Sequence, residues 1–454
     1  MILYNLDTAL LLMVAFIAYV FTPTRWRYIF LLALSVGILS HLGWSGFSIT
    51  LIQVAAAFIM GLWIGACPTW VRLWSCVLLQ LAPMVFYKLG GVAVLGRQPE
   101  LWGLPLGLSY YTFQMVSYLI EVYWGRQPVQ RQPLPFFLYG LLVFNKVAGP
   151  IERPSLIDQF RTIYLPPNEK LYRSLFLIWL GYFQKGVIAE NLAPFISPIL
   201  QNATEYQGLP VLCAILLSKY QIFCDFSGAS LLALGAAGLF GLDLTLNFDR
   251  PFAARSLREF WTRWHISLQA WIRDYVFYPL LSTRLATWGA FPLILVSFII
   301  FGLWHDIRWT FALYGVLQAV LIWVRPERLY SSLFKRAWTL PLALIFNYVV
   351  LISLPGILFR ARTLTEAWTI WSHIGWSTAN WDFFIKAGEF SLPMLLALMA
   401  ANECIQWSLT RTSWLERLAR SRWYWRMIPV PFLLLVLILY FKRGELQPFV
   451  YSTF

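Results

Sequence analysis

Fourteen apolar runs, in series from one end of the chain to the other, constrain this sequence more than any other feature. They fall near 2–21, 28–45, 47–66, 73–87, 104–123, 134–148, 174–192, 208–223, 228–242, 289–304, 309–324, 338–358, 388–408 and 428–441. A soluble core cannot hide so many long runs. A hydrocarbon layer about 30 Å thick can, at about 20 apolar residues per helical crossing. Composition agrees: 59% of the 454 residues are hydrophobic and 12% are charged, against roughly 25% charged in soluble domains. The expected fold class is an all-α polytopic membrane protein. Several runs are too short to cross upright, so some helices should be tilted, half-inserted or re-entrant, leaving about 10–12 true spans. The chain holds 24 Trp and 22 Tyr, rings that favour the membrane–water interface. With no repeat, low-complexity tract or separable soluble domain, residues 1–454 read as a single membrane domain.

The net charge of +14 sits largely in short loops. Arg25 and Arg27 form one group, Arg325, Arg328, Lys335 and Arg336 a second, and Arg411, Arg417, Arg420, Arg422 and Arg426 a third. This is the pattern of positive-inside loops touching anionic lipid, and no nucleic-acid signature accompanies it. Arg25 and Arg27 follow the first run, which places that loop in the cytosol and the N-terminus outside. The first run lacks a basic leader and a small-residue cleavage site, so it reads as a spanning helix rather than a removed signal peptide. The five cysteines, Cys67, Cys76, Cys213, Cys224 and Cys404, form no CxxC pair and no metal-ligand spacing.

The polar stretches are few. Residues 149–173 hold Pro150, Pro154, Pro166 and Pro167 among mixed charges. Residues 243–274 interleave Asp243, Asp249, Arg250, Arg255, Arg258, Glu259, Arg263, His265, Arg273 and Asp274 with Phe248, Phe252, Phe260, Trp261, Trp264 and Trp271. Charges beside aromatic rings at helical spacing suggest short helices at the interface or dipping into the bilayer. A dipping segment needs protein or a water-filled cavity around it.

Four histidines are present: His41, His265, His305 and His373. His305 ends an apolar segment after Phe301-Gly302-Leu303-Trp304. An ionisable group at membrane depth is costly and faces a bundle interior or cavity, and an imidazole moves protons near neutral pH. A structural histidine bonded to a neighbouring helix is the competing reading. His265 follows Glu259-Phe260-Trp261-Thr262-Arg263-Trp264; a helix there would put Trp261 and His265 on one face and Glu259 and Arg263 on another. An interfacial histidine among anchoring residues is the alternative. Asp225 lies between two apolar runs and suits an ion pair with an arginine of the 250–273 segment, or a cavity wall. Arg273 and Asp274 suit a charge pair at a helix end. Walker A, GxSxG and HExxH motifs are absent, as are paired intramembrane carboxylates, which weakens an ion-coupled transporter.

Several motifs occur in order. Pro105-Leu106-Gly107-Leu108-Ser109-Tyr110-Tyr111-Thr112-Phe113-Gln114 comes first, with Ser117-Tyr118-Leu119, then Ala148-Gly149-Pro150-Ile151 and Asp225-Phe226-Ser227-Gly228. Asn247-Phe248-Asp249-Arg250-Pro251-Phe252 follows, then Glu259 through Leu268, Trp271-Ile272-Arg273-Asp274-Tyr275, Tyr278-Pro279-Leu280, Gly302-Leu303-Trp304-His305 and Pro448-Phe449-Val450-Tyr451. This series resembles the membrane-bound O-acyltransferase family, and most closely its bacterial branch of alginate, cellulose and teichoic acid acyltransferase membrane subunits. The resemblance implies a ring of tilted helices around a central funnel, thinned by re-entrant helices, with the catalytic motifs in about 219–310. It makes His305 and His265 the catalytic residues and gives Trp304, Arg263, Trp264, Asn247, Asp225, Arg273 and Asp274 as the substrate-binding set. Asp306 stands where the branch usually has Gly, Leu281-Ser282-Thr283-Arg284 where alginate-type proteins continue Gly-Gly-Asn-Arg, and Phe144-Asn145-Lys146 where an aromatic-Pro pair is common.

The implied activity is transfer of an acyl group, foremost acetyl, from a cytosolic thioester to an extracytoplasmic polysaccharide or partner protein. The donor is acetyl-CoA or an acyl carrier protein, consumed as substrate, with no bound cofactor or metal. The implied setting is multi-pass in a bacterial cytoplasmic membrane, among lipids, beside an SGNH-type acetyltransferase partner or a polysaccharide assembly complex. D-alanyl transfer to a teichoic acid-type polymer is the neighbouring alternative. A glycan or lipid flippase, or a non-catalytic scaffold, would explain a cavity without needing His305.

Overall fold

The computed structural model describes residues 6–90, 107–146, 148–202, 204–326, 340–379, 381–382, 390–411, 417 and 420–421. The apolar run 428–441, the Pro105-Leu106 start of the first motif and the Pro448–Tyr451 motif lie outside these residues, as do Arg328, Lys335, Arg336, Arg422 and Arg426. Among the described residues the chain is helical and forms no strand, only one isolated bridge, Phe248 to Trp264. It divides into two compact units, Met1–Trp179 with Ala229–Leu246, and Leu180–Gly228 with Asn247–Phe454.

The first unit contains α1 (Leu6–Phe21), α2 (Arg27–Leu42), α3 (Trp44–Ala66), α4 (Trp70–Lys88), α5 (Leu108–Tyr123) and α6 (Pro133–Leu141). α3 and α4 are each long and apolar enough to cross a bilayer. Their outward faces are aliphatic, with Ile52, Ile59, Leu78 and Leu79 exposed. Lipid offers such faces nothing polar, so polar groups must pair inside. Gln53 and Gln80 do so reciprocally: each side-chain amide donates to the other's backbone carbonyl, at 3.1 and 3.0 Å. The first sequence motif serves the same end. The Gln114 amide donates to the Tyr139 carbonyl at 2.7 Å, and the Tyr139 hydroxyl donates back to the Gln114 carbonyl at 3.1 Å.

The second unit holds the end of α7 (Asn168–Tyr182), a π-helical segment Phe183–Ala189, α8 (Glu190–Gln201) and most of α9 (Leu209–Leu239). Among the described residues α9 is the third helix long and apolar enough to span. It overturns the expectation of two runs, 208–223 and 228–242, parted at Asp225. One 31-residue helix carries both, with Asp225 in its middle. No break is needed because the charge is neutralised where it stands. Lys185, from the π-helical segment, makes an ion pair with Asp225, and each side chain is 2% exposed. The cation found is thus a lysine 40 residues upstream, where the sequence suggested an arginine of 250–273. Among the described residues, five further apolar stretches of 10–17 residues, including Ala290–His305 and Trp309–Val324, are shorter than an upright span.

Gly228 lets the π-helical turn lie against α9. A Cβ at this position would sit 2.7 Å from the Gly181 carbonyl oxygen and 3.0 Å from the Lys185 nitrogen. Backbone, unlike a flexible side chain, cannot swing away. Gly228→Ala should therefore cost about 1–3 kcal/mol, the range for overpacking a filled interior. Thermal unfolding of the detergent-solubilised protein would register it as a lower midpoint; an unchanged midpoint would show that the two segments can separate freely.

Candidate active site

The polar segment 243–274 folds as the sequence suggested in kind, into short helices: α10 (Leu257–Arg263) and α11 (Ile266–Ile272). Ser256 starts α10 by accepting from the Glu259 amide at 3.2 Å, and the Glu259 carboxylate accepts from the Arg255 amide at 2.7 Å. This is a capping arrangement that satisfies donors at a helix start. One turn on, Arg263 pairs with Glu259 at 2.6 Å, so the expected shared face is real.

The expected helical continuation to His265 is not. α10 ends at Arg263, Trp264 is extended, and His265 takes the left-handed conformation, φ 48° and ψ 53°. Trp261 and His265 therefore do not share a helix face. Trp261 instead donates its indole N–H to Gln318 at 3.1 Å. A left-handed backbone costs a non-glycine residue on the order of 1–2 kcal/mol, so neighbours must hold it. Asn247 does this twice. Its carbonyl accepts from the Ile266 amide at 2.9 Å, and its side-chain oxygen accepts from the Ser267 hydroxyl at 2.6 Å. Two residues on, Asp249 donates its amide to the Arg263 carbonyl at 3.0 Å, closing the loop around the turn.

His305 is placed differently, as the last residue of α12 (Ala290–His305). α12 packs closely on α13 (Trp309–Val324) through two glycines. A Cβ at Gly302 would lie 2.2 Å from the Phe311 carbonyl oxygen, and one at Gly315 2.2 Å from that of Phe298. Small residues at such crossings are the usual route to tight packing in a membrane. The motif Gly302-Leu303-Trp304-His305 thus joins a packing glycine to the histidine that it positions.

The two histidines converge. Their ring centroids are 6.4 Å apart, and His265 and His305 are 0% and 5% exposed. Aromatic rings enclose them. Phe226 meets His265 edge-on at 4.7 Å, and Trp304 lies 5.6 Å from it. Phe301 and Phe359 approach His305 at 5.0 and 4.7 Å, and Phe311 stacks at 6.2 Å. Two clefts lie near these residues, the first touching the shell at Phe301. One, of about 290 Å³, is lined by Phe301, Gln269, Arg273 and Ser297 among others. The other, of about 660 Å³, is lined by Arg308 and Arg360 beside Phe359.

The remaining expected site residues take different stations. Trp304 stands in the shell. Asn247 is the strap under His265, and Asp225 is the partner of Lys185, one residue before the shell ring Phe226. Trp264 packs among Phe248, Phe252 and Phe260, and carries the Lys219 ammonium 4.1 Å above its ring. Arg263 turns to Glu259. Arg273 and Asp274 pair with each other at 2.8 Å on the partly exposed edge of the smaller cleft. Sequence reasoning missed Lys185, Phe226, Phe311, Phe359 and Arg360 as site components. Lys185 had a usable signal: it is a cation inside the apolar run 174–192, which by cost alone marks an interior contact. The phenylalanines had none, since aromatic residues are everywhere in this chain.

The strap gives a prediction. Asn247→Ala should destabilise by about 1–3 kcal/mol, because it leaves a buried hydroxyl without its acceptor. Ser267→Ala and the double variant should fall short of additivity, since both remove the same bond. Additive losses in thermal unfolding would mean that the bond carries no coupling.

The sequence comparisons place these residues in context. A probable alginate O-acetylase, AlgI, of Azotobacter vinelandii is 32% identical over 302 residues, which is 65% of this chain and 59% of that protein. A peptidoglycan O-acetyltransferase of Helicobacter pylori is 31% identical over 299 residues, 58% of this chain and 55% of its own length. A teichoic acid D-alanyltransferase of Streptococcus thermophilus is 30% identical over 263 residues, covering 52% and 61%. The chain spans a little over half the length of these curated relatives. The family model for MBOAT, the membrane-bound O-acyltransferase family, matches residues 77–360. That interval takes in more than half of the sequence, the ion pair, the strap, the strained turn and both histidines, and the chain is therefore a membrane protein of the membrane-bound O-acyltransferase family.

Proposed function

We propose that this protein is an O-acyltransferase that moves an acyl group, foremost acetyl, from a cytosolic thioester to a hydroxyl of an extracytoplasmic polymer or of a partner protein. The observation that carries the reading is the pair of buried imidazoles 6.4 Å apart inside an aromatic shell. At that spacing both rings can reach one small reacting group. Relatives named for O-acetyl transfer to alginate and to peptidoglycan support the acyl class and a polymeric acceptor.

In the proposed reaction His305 accepts the proton of the acceptor hydroxyl as its oxygen attacks the thioester carbonyl. The tetrahedral intermediate then breaks its C–S bond, and the proton passes to the leaving thiolate. One ester forms, one thioester is lost, and no oxidant or second cofactor is needed. His265, fixed by the Asn247 strap on the facing side, donates to the carbonyl oxygen as negative charge develops. A donor aimed where charge appears is most effective in a site closed to water. The cleft that touches the shell at Phe301 offers an approach for one reactant.

D-alanyl transfer is the second reading, supported by the relative named as a teichoic acid D-alanyltransferase. It changes the donor and leaves the histidine chemistry as it is. An SGNH-type partner that passes the group onward, and a station in the bacterial inner membrane as a multi-pass protein, belong to the same proposal.

The test uses purified protein with radiolabelled acetyl-CoA, and in parallel a D-alanyl carrier protein. His305→Ala should lower transfer about 10²–10⁴-fold, the contribution usual for a positioned acid–base group, while its elution profile and melting midpoint stay close to the parent's. His265→Ala should lower it as well. Full acylation by a folded His305→Ala protein would sink the reading. Movement of substrate across vesicles with no donor consumed would point to a flippase instead.

A further inference from the structure

We propose that the cleft beside His305 walled by Arg308, Arg360 and Arg362 is an oxyanion-binding subsite, which holds a charged group of one reactant while His305 acts on it. The proposal rests on the acyl-transfer reading for its purpose. The shared chemistry is a phosphate of the donor or a carboxylate of the acceptor, each of which suits a guanidinium fork.

The cleft measures about 660 Å³, within the roughly 300–1,000 Å³ usual for small-molecule sites. Its lining is rich in donors: the three arginines, with Ser197, Gln201 and Thr369. Among the described residues Glu366 is the single acidic residue of the lining, and its carboxylate accepts from the Arg362 backbone amide at 2.8 Å.

Arg360 is held at two points. Its Nε donates to Ser218 at 3.0 Å and one terminal nitrogen to Gln221 at 2.6 Å. Two neutral acceptors thus hold the fork rigid, and among the described residues its other terminal nitrogen makes no hydrogen bond. The field of Asp225 reaches Arg360, but that carboxylate is already paired with Lys185. Arg360 and Arg362 form no ion pair among the described residues. Arg360 is half-buried, and a guanidinium partly withdrawn from water without a carboxylate partner is costly to keep, a cost that a bound oxyanion offsets. Arg308 is also held in place. Its Nε donates to Asp306 at 2.5 Å, and its guanidinium lies over Phe311 at 5.0 Å.

Position ties the cleft to the chemistry. Phe359, the residue before Arg360, packs on the His305 ring at 4.7 Å, and Phe311 touches both Arg308 and Phe359. An anion held by these arginines therefore sits behind the aromatic shell of His305. A rigid fork also favours planar or tetrahedral oxyanions over a compact point charge.

The test measures binding without turnover, by calorimetry on the full-length protein in detergent. The probes are coenzyme A against phosphate-free pantetheine, and an oligogalacturonate against a neutral gluco-oligosaccharide. Arg362→Gln, on an exposed residue, and Arg360→Gln should each weaken one charged probe roughly tenfold, as loss of a charge-assisted bond does, and leave its neutral counterpart unchanged. The probe that weakens names the source of the anion. Should Arg360→Gln fail to fold, Arg362→Gln carries the measurement. If neither charged probe weakens, or if charged and neutral probes weaken alike, the subsite is overturned, while the acyl-transfer reading is left to the His305→Ala assay.

Discussion

The buried ion pair between Lys185 and Asp225 is the contact on which the site depends. Removing two charges from water costs several kcal/mol each, and attraction in a low dielectric recovers this only with good geometry. That geometry fixes the π-helical turn Phe183–Ala189 against one point of α9. Once that point is set, its neighbours on α9 follow. Phe226 meets His265, Phe223 packs on Phe248 and Trp264, and Gly228 receives the backbone of the π-helical turn. A slide of one residue along α9 would unpair two charges and push a side chain into the Gly181 carbonyl. The pair thus adds less to stability than to register, the role for which buried polar contacts are best attested.

Two unlike devices then bring the histidines together. His305 comes from a regular helix end, cheap to form and rigid because α12 and α13 nearly touch at Gly302 and Gly315. His265 comes from a strained turn between two seven-residue helices that would not be stable alone. Strain of this kind persists only where surrounding contacts over-determine it. The Asn247 strap, the Asp249 to Arg263 bond and the Phe248–Trp264 bridge supply those contacts.

The helical class was legible from the apolar runs, and His305 stood out as a candidate from the cost of placing an imidazole at membrane depth. The ordered motifs identified the family, because they mark packing requirements as much as chemistry: Gly228, Asn247 and Gly302 each have a geometric reason to be where they are. What stayed hidden is non-local. Hydropathy reads Asp225 as a break between two runs, since it cannot see a lysine 40 residues away. Helical periodicity carried Trp261 and His265 onto one face, because the left-handed turn at His265 has no glycine or asparagine to announce it. The phenylalanines around His305 looked like any others in a chain with 35 of them.

The departure at Asp306 now has a structural meaning. The resemblance led to an expectation of glycine after His305. The aspartate instead accepts from the Ile307 amide at 2.8 Å and from Arg308 at 2.5 Å. It closes the turn that a glycine would otherwise leave loose, and in doing so it lays Arg308 into the wall of the basic cleft. The departure therefore falls on the cleft and leaves the space between the imidazoles untouched. Transfer from thioester to hydroxyl asks the same of two histidines whatever the acyl group or acceptor. Choice among reactants is better made at a distance, by groups that read a part of the molecule that does not react, where binding energy can be directed to orientation at the reacting centre. In the proposed reaction the arginines of the basic cleft would make that choice.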